Sequence, residues 1–301
     1  MTTRKTDGEA SKEIDDIALK IASKRKRPLF IMFYDESAGR ITHDDVRDVY
    51  DEFRRRGRSA KDQFKQLDVL VHSYGGDADA CYRVAQVIRD FAANVAFLVP
   101  FHAASGATLI CLCGNDIRLG AYASLGPIDI SIGEIELASI DNFREFAADC
   151  RRDIEAVLDE TESSRSTDVE AVLLREMVNQ ESALGIGSLY RVSSLTGHYA
   201  FRLLHDYMFY GRSDGATKAQ SIADGLLHTY PSHNFVLDYH MASELGLPVS
   251  EMTEDESDIT KSLIDLLGHL TEEQVICKDL GEVDEGEMLK APFFRLYPRE
   301  V

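Results

Sequence analysis

What this 301-residue sequence lacks narrows its function before any motif is read. No apolar run approaches the roughly 18–20 residues that a membrane-spanning helix requires. The first 28 residues are polar and charged, with no apolar core of a secretory signal, so a soluble protein of the cytoplasm is expected. Cysteine is scarce: five residues (Cys81, Cys111, Cys113, Cys150, Cys277), an odd number in no C-x-x-C or Cys/His pattern. They read as buried free thiols in a reducing compartment, with neither a disulfide framework nor a metal site. No phosphate-binding G-x-x-x-x-G-K-[ST] or G-x-G-x-x-G context occurs, and there is no internal repeat or low-complexity tract.

Positive charge is also in short supply. The chain carries 33 Lys and Arg against 52 Asp and Glu, a formal net charge of −19. Residues 1–133 hold 19 basic and 19 acidic side chains, whereas residues 134–301 hold 14 and 33. An acidic surface repels phosphodiester backbones and anionic lipid headgroups, so neither nucleic acid nor a membrane is expected as a partner. The 44% of hydrophobic residues suffices for a packed core.

What is present alternates between strand and helix. Residues 1–27 form a polar segment with a helix beginning over Ile14–Ile21 and a basic run, Lys24–Arg27. Pro28–Tyr34 is rich in aromatic and branched residues and reads as a strand. Thr42, followed by Asp44 and Asp45 and by apolar residues at Val46, Val49 and Phe53, reads as a capped helix. Its terminal Arg54–Arg56 and Gly57 suit the helix dipole and a C-cap better than a nucleic-acid patch. Leu67–Val71 is a buried-type strand running into Gly75-Gly76, after which Cys81, Val84, Ala85, Ile88 and Phe91 share one helical face. Asn94–Pro100 is a further strand, Ala103–Cys113 a turn and short apolar helix, and Asp116–Leu119 another strand. Ser124–Asp129 turns into the next. This order predicts an α/β domain with a twisted, largely parallel sheet. Residues 134–210 read as an inserted helical subdomain within a domain spanning 28–250. Lys218–Leu227 and Asp238–Leu245 are helical, with the loop Tyr230–Phe235 between them. Glu251–Asp258 reads as a solvated linker that opens an acidic C-terminal extension over 251–301, with a short amphipathic helix at Ile259–Leu270.

Two glycine-bearing turns carry the chemical signal. A strand ending in Gly75-Gly76 before a helix presents backbone N–H groups, which suit an anion or a developing oxyanion. Ser105 opens an apolar helix, flanked by Ala104 and Gly106, leaving room for a carbonyl to approach. By itself, a serine in that place reads as an N-cap.

Taken together, HSYGGDADACYRVAQVIRD, AASGATLICLCGNDIRLGAYASLGPIDISIG and YPSHNFVLDYHMASELGL resemble the serine dehydrogenase proteinase family, Clp-protease-like members of the Clp/crotonase superfamily of serine peptidases. The resemblance covers residues 67–133 and 218–247. It implies a Clp/crotonase-like fold and a serine peptidase hydrolysing peptide bonds, with no cofactor and no metal. It implies Ser105 as nucleophile, Asp129 of Gly-Pro-Ile-Asp as the orienting carboxylate and His233 of Pro-Ser-His as general base. Gly75 or Gly76, with Gly106, would supply the oxyanion hole. Peptide or protein substrates and a homo-oligomer, trimer or hexamer, are implied in the same way; an activating partner is left open. Tyr74 stands where the family usually has proline, and the amino-terminal membrane anchor of many relatives has no counterpart here.

Alternatives share the fold. A Ser–Lys dyad of the signal-peptide-peptidase type would use Lys218 as base, provided its amine is desolvated. His72 and His102, both near Ser105 in sequence, are further candidates for the base or the pocket wall. A crotonase-type acyl-CoA enzyme would need no serine nucleophile, and a catalytically silent scaffold would keep only the fold.

Overall fold

The computed structural model describes residues 7–34, 39–55, 62–128, 131–132, 135–157, 170–176, 183–279 and 293–297. Its centre is a six-stranded sheet. Strands β1 (Leu29–Phe33), β2 (Leu67–His72) and β3 (Val95–Val99) are joined through helices α2 (His43–Arg55) and α3 (Ala78–Phe91). All three run parallel. A short β4 (His102–Ala103) leads into α4 (Gly106–Cys111), and β5 (Asp116–Leu119) then extends the parallel set. After β6 (Ser124–Leu125), a small hairpin of β7 (Ser131–Ile132) and β8 (Ile135–Glu136) opens the helical insertion. The insertion contains α5 (Leu137–Val157), a helical stretch at residues 170–176 and α6 (Ala183–Leu203), which ends in a π-helical turn, Leu204–Met208. Helices α7 (Gly215–His228) and α8 (Tyr239–Glu244) return the chain to the sheet, where β9 (Val249–Glu251) pairs with β5. Helix α9 (Glu254–Asp279) and β10 (Phe293–Tyr297) follow. The strand order is β10-β1-β2-β3-β5-β9, with β10 alone antiparallel to its neighbour.

The continuous apolar runs at β1 and β3 follow from burial on both faces, as parallel sheets require. Phe30, Met32, Val69, Val71, Phe97 and Val99 face α2, α3 and α4, where Val49, Phe53, Val84 and Ile88 meet them. Leu29, Ile31, Phe33, Leu70 and Leu98 point the other way, onto α1 (Asp7–Arg25) and α9 through Ile14, Ala18, Ile21, Leu263 and Leu267. Alternate residues of one strand thus serve two separate cores.

Two expectations are corrected. Glu251–Asp258 is no linker: Glu251 ends β9, and Glu254, Asp255 and Glu256 form the first turn of α9. Acidic side chains are favoured there because helix N-termini carry partial positive charge. The acidic helix is also longer than Ile259–Leu270, and the chain beyond it re-enters the sheet: β10 buries Phe293, Leu296 and Tyr297 against β1.

Two members of the basic run Lys24–Arg27 turn inward, Arg25 and Arg27, while Lys24 and Lys26 are exposed. Arg25 is ion-paired to buried Asp68 at the start of β2, and its Nη1 lies 2.7 Å from Glu256 of α9. Arg27 Nε lies 3.0 Å from Asp68. These pairs tie the helix layer to the sheet at the amino-terminal end of β2.

Candidate active site

The nucleophile candidate sits on a strained turn. Ser105 joins β4 to α4 with φ 52° and ψ −121°, a region L-residues avoid at a cost of about 1–3 kcal/mol. Among the described residues only Lys26 shares a positive φ without being glycine. Ser105 holds the N-cap position, yet its side chain makes no capping hydrogen bond, which overturns the simple capping reading. A capping serine needs an extended backbone to aim its oxygen at the helix N–H groups, and a positive φ turns the side chain elsewhere. Ser105 is half-buried, and its Oγ makes no hydrogen bond to another described residue.

The two glycine turns interlock at this point. Gly75 has φ 102°, and a Cβ there would stand 2.7 Å from the Ala104 carbonyl oxygen and 2.7 Å from Gly106 N. A Cβ on Gly106 would fall 2.5 Å from Cys81 Sγ and 2.9 Å from Gly76 N. Any side chain at either position would therefore push the turns apart.

Hydrogen bonds fix the arrangement. Ser73 N donates to His102 O at 3.1 Å, and Ala104 N donates to Ser73 O at 3.0 Å. Gly75 N donates to Ser73 Oγ at 3.0 Å, and Ile41 N donates to Gly75 O at 2.9 Å. With Gly75 N so engaged, Gly76 N and Gly106 N remain as donors that make no hydrogen bond among the described residues.

A ladder of short pairings brings further segments to the same place. Ser73 bridges Ala103, β4 pairs with β6, and Leu125 of β6 bridges Leu237 through two hydrogen bonds of 2.9 and 3.0 Å. Gly126 follows directly, so close to the nucleophile turn that a Cβ on it would lie 3.3 Å from Ser105 N. Fully buried Thr108 staples these strands: its Oγ1 donates to Ala103 O at 2.5 Å and accepts from Gly126 N at 3.0 Å. Ser73 and Thr108 escaped the sequence reading. Only Thr108's place one turn into an apolar helix, where a hydroxyl has no apolar role, hinted at it.

His233 lies in the loop after α7, half-buried, four residues before Leu237. Asp129 lies outside the described residues; the chain just before it is anchored by Ile128 N, which donates to Leu226 O at 3.0 Å. Lys218 stands in the first turn of α7 with its side chain 46% exposed and Nζ 2.8 Å from Asp214. That hydrogen bond leads the effects holding the Asp214 carboxyl below its ordinary range. His102 Nδ1 lies 3.1 Å from Ser124 Oγ, and His72 packs among the rings of Phe33, Tyr74, Phe101 and His102. Burial pushes the thiols of Cys81, Cys111 and Cys113 up, Cys113 to about 12, so these sulfurs stay protonated near neutral pH and are poor nucleophiles. Among the described residues no cluster of three or more His, Cys, Asp or Glu is placed to hold a metal ion.

Residues 40–200 match the ClpP-like SDH-type serine proteinases. The chain belongs to this family. The match takes in both glycine turns and Ser105, and ends before Lys218 and His233. Two uncharacterized proteins of Methanocaldococcus jannaschii are similar: one is 24% identical over 192 residues (64% of this chain, 56% of the relative), the other 27% identical over 185 residues (61% and 52%). The chain thus spans about half the length of these relatives. A solved structure of the 1510-N membrane-bound stomatin-specific protease, in a serine-to-alanine mutant, overlaps with a TM-score of 0.38 at 15% identity, covering 72% of this chain and 78% of that one. In this member of the proteinase family, no described helix is long and apolar enough to cross a membrane.

Proposed function

We propose that this ClpP-like protein hydrolyses peptide bonds with Ser105 as nucleophile. The observation that carries the reading is the Ser105 backbone. A serine held at φ 52° on a strand-to-helix turn, its hydroxyl unused for capping, is what a presented nucleophile requires. Strain of this kind persists only where the surroundings hold it, and here the backbone is fixed on both sides by Ala104 N donating to Ser73 O at 3.0 Å and Leu109 N donating to Ser105 O at 3.1 Å.

In this reading Ser105 Oγ attacks the scissile carbonyl carbon while His233 takes its proton. The carbonyl oxygen becomes an oxyanion and accepts hydrogen bonds from Gly76 N and Gly106 N, donors already fixed in place and not otherwise engaged. Gly75 serves instead by shape, its N–H held by Ser73. Collapse of the intermediate expels the amine, which receives the proton from His233, and water then hydrolyses the acyl-enzyme by the same path in reverse. Asp129 would hold the imidazole tautomer. What favours His233 is its loop, tied through Leu237 and Leu125 to the nucleophile turn. A histidine aligned only as substrate closes the site is compatible with apo geometry. Lys218 fares worse, because a general-base lysine must be desolvated, and this one is half-exposed and ion-paired. Peptide or protein substrates, assembly into a homo-oligomer and a cytoplasmic location complete the proposal.

The test is labelling with a fluorophosphonate probe. Wild type should be labelled and Ser105→Ala should not; equal labelling, or none of the wild type, overturns the nucleophile. Peptide hydrolysis by His233→Ala and Lys218→Ala then separates the bases: loss in the first and retention in the second is expected.

A further inference from the structure

The Gly76 N–H owes its direction to a segment between β1 and α2. A trans peptide sets its C=O and N–H antiparallel, so the Gly75 carbonyl and the Gly76 N–H leave one plane on opposite sides. Ile41 N donates to Gly75 O at 2.9 Å, which aims the Gly76 N–H away from Ile41. On the far side stands the nucleophile turn: a Cβ on Gly106 would lie 2.9 Å from Gly76 N. Ile41 O in turn accepts from Asp77 N at 2.9 Å, so buried Ile41 clamps the chain on both sides of Gly76.

A peptide between two glycines needs such a clamp. Gly75 has φ 102°, and neither glycine has a Cβ to obstruct rotation of the plane. Turned over, the same peptide would present a carbonyl where a donor is required. The hydrogen bond from Ile41 N opposes that turn.

Ile41 is itself fixed by the start of α2. Asp45 is buried, and its Oδ2 accepts from Thr42 N at 2.6 Å and from Thr42 Oγ1 at 3.1 Å. A carboxylate reaching back to the N–H just before its helix is half of a capping box. Thr42 N and Ile41 O belong to one peptide, so Asp45 and Asp77 N grip that plane from opposite sides. Two further pairs run alongside, Arg40 with Asp77 at 3.9 Å and His43 with Asp79 at 2.8 Å. Both are solvent-exposed and contribute little by comparison.

We infer that the Ile41 N–H holds the oxyanion peptide in its working orientation, with Asp45 as the positioning residue behind it. The inference rests on Ser105 being the nucleophile and Gly76 N an oxyanion donor. Asp45 touches no substrate atom. It sets a donor that matters most in the transition state, so its loss should lower kcat and leave KM in place.

The test is peptide hydrolysis by Asp45→Ala, by Asp45→Asn and by a full chain with an ester in place of the Ile41 N–H. The ester removes the bond to Gly75 O and keeps the side chain. In the ester protein and in Asp45→Ala, kcat should fall roughly tenfold or more, with KM within about twofold. Asp45→Asn still offers an oxygen to Thr42 N and should keep kcat within about threefold of wild type. A peptide aldehyde, whose adduct with Ser105 places an oxyanion before the same donors, should weaken by the same factor as kcat/KM. Should Asp45→Ala not fold, an ester at Thr42 removes the same bond to Asp45 and is read in the same way. Unchanged kcat in the ester protein overturns the inference. So does an Asp45→Asn as impaired as Asp45→Ala, or a loss carried by KM with aldehyde affinity unchanged. Fluorophosphonate labelling separates the two levels: unlabelled wild type overturns the nucleophile, whereas labelled wild type with an ester protein of unchanged kcat overturns the positioning alone.

Discussion

Gly75 and Ser105 share one small volume: a Cβ on the glycine would stand 2.8 Å from the serine's own Cβ. The serine therefore occupies its strained conformation with a neighbour that has no side chain to yield, and the strain is separable from the chemistry. Ser105→Ala and Ser105→Gly both remove the hydroxyl, but only glycine adopts φ 52° freely. After the entropic cost of glycine, Ser105→Gly should be more stable than Ser105→Ala by about 1 kcal/mol in urea unfolding. A less stable glycine variant would show that the turn carries no strain.

Thr108 offers a second test, aimed at the staple beneath the nucleophile. Thr108→Val keeps the shape and leaves Ala103 O and Gly126 N without their buried partner. Two such groups cost about 2–4 kcal/mol together, and peptide hydrolysis should fall with the loss of register at Ser105. Thr108→Ser retains the hydroxyl and should lose about 1 kcal/mol, the value of a buried methyl group, with activity kept. Equal behaviour of the two variants in unfolding and turnover would rule out the staple.

Acid stability should depend on Glu256. Burial works against its charge, but the Thr253 N–H at 3.0 Å and the Arg25 guanidinium at 2.7 Å outweigh it and hold the carboxyl below the ordinary glutamate range. A depressed folded-state pKa stabilises the protein above the unfolded value of about 4.3, and that stability is lost as pH falls through the folded value. Glu256→Gln should therefore melt below wild type at pH 7, and the gap in Tm should close as the pH is lowered below about 4. A gap that stays constant from pH 7 to pH 3 would exclude the ion pairs as its source.

Much of this architecture is legible in the sequence. Strands β1 and β3 announce themselves because burial on both faces demands unbroken apolar runs, and the glycine turns stand out because no other residue fits them. Ser105 was visible as a candidate, but its meaning was not: composition around a serine cannot distinguish a cap from a presented hydroxyl, and only the backbone angle does. Charge misled at Glu251–Asp258, since a cluster of carboxylates looks the same in a linker as in the first turn of a helix. The Lys24–Arg27 run was opaque for a related reason. Its partners, Asp68 and Glu256, lie 43 and 231 residues from Arg25, a distance that no local pattern reports. Thr108 acts through two strands that meet only in the folded chain.

Both flanks of the main sheet come from late in the chain, β9 beside β5 and β10 beside β1. During synthesis, four parallel strands with two apolar faces must wait for their borders until residues 249–251 and 293–297 have emerged. Open strand edges of that kind invite pairing with other chains, so the interval before β10 docks is when a nascent molecule is most exposed to aggregation.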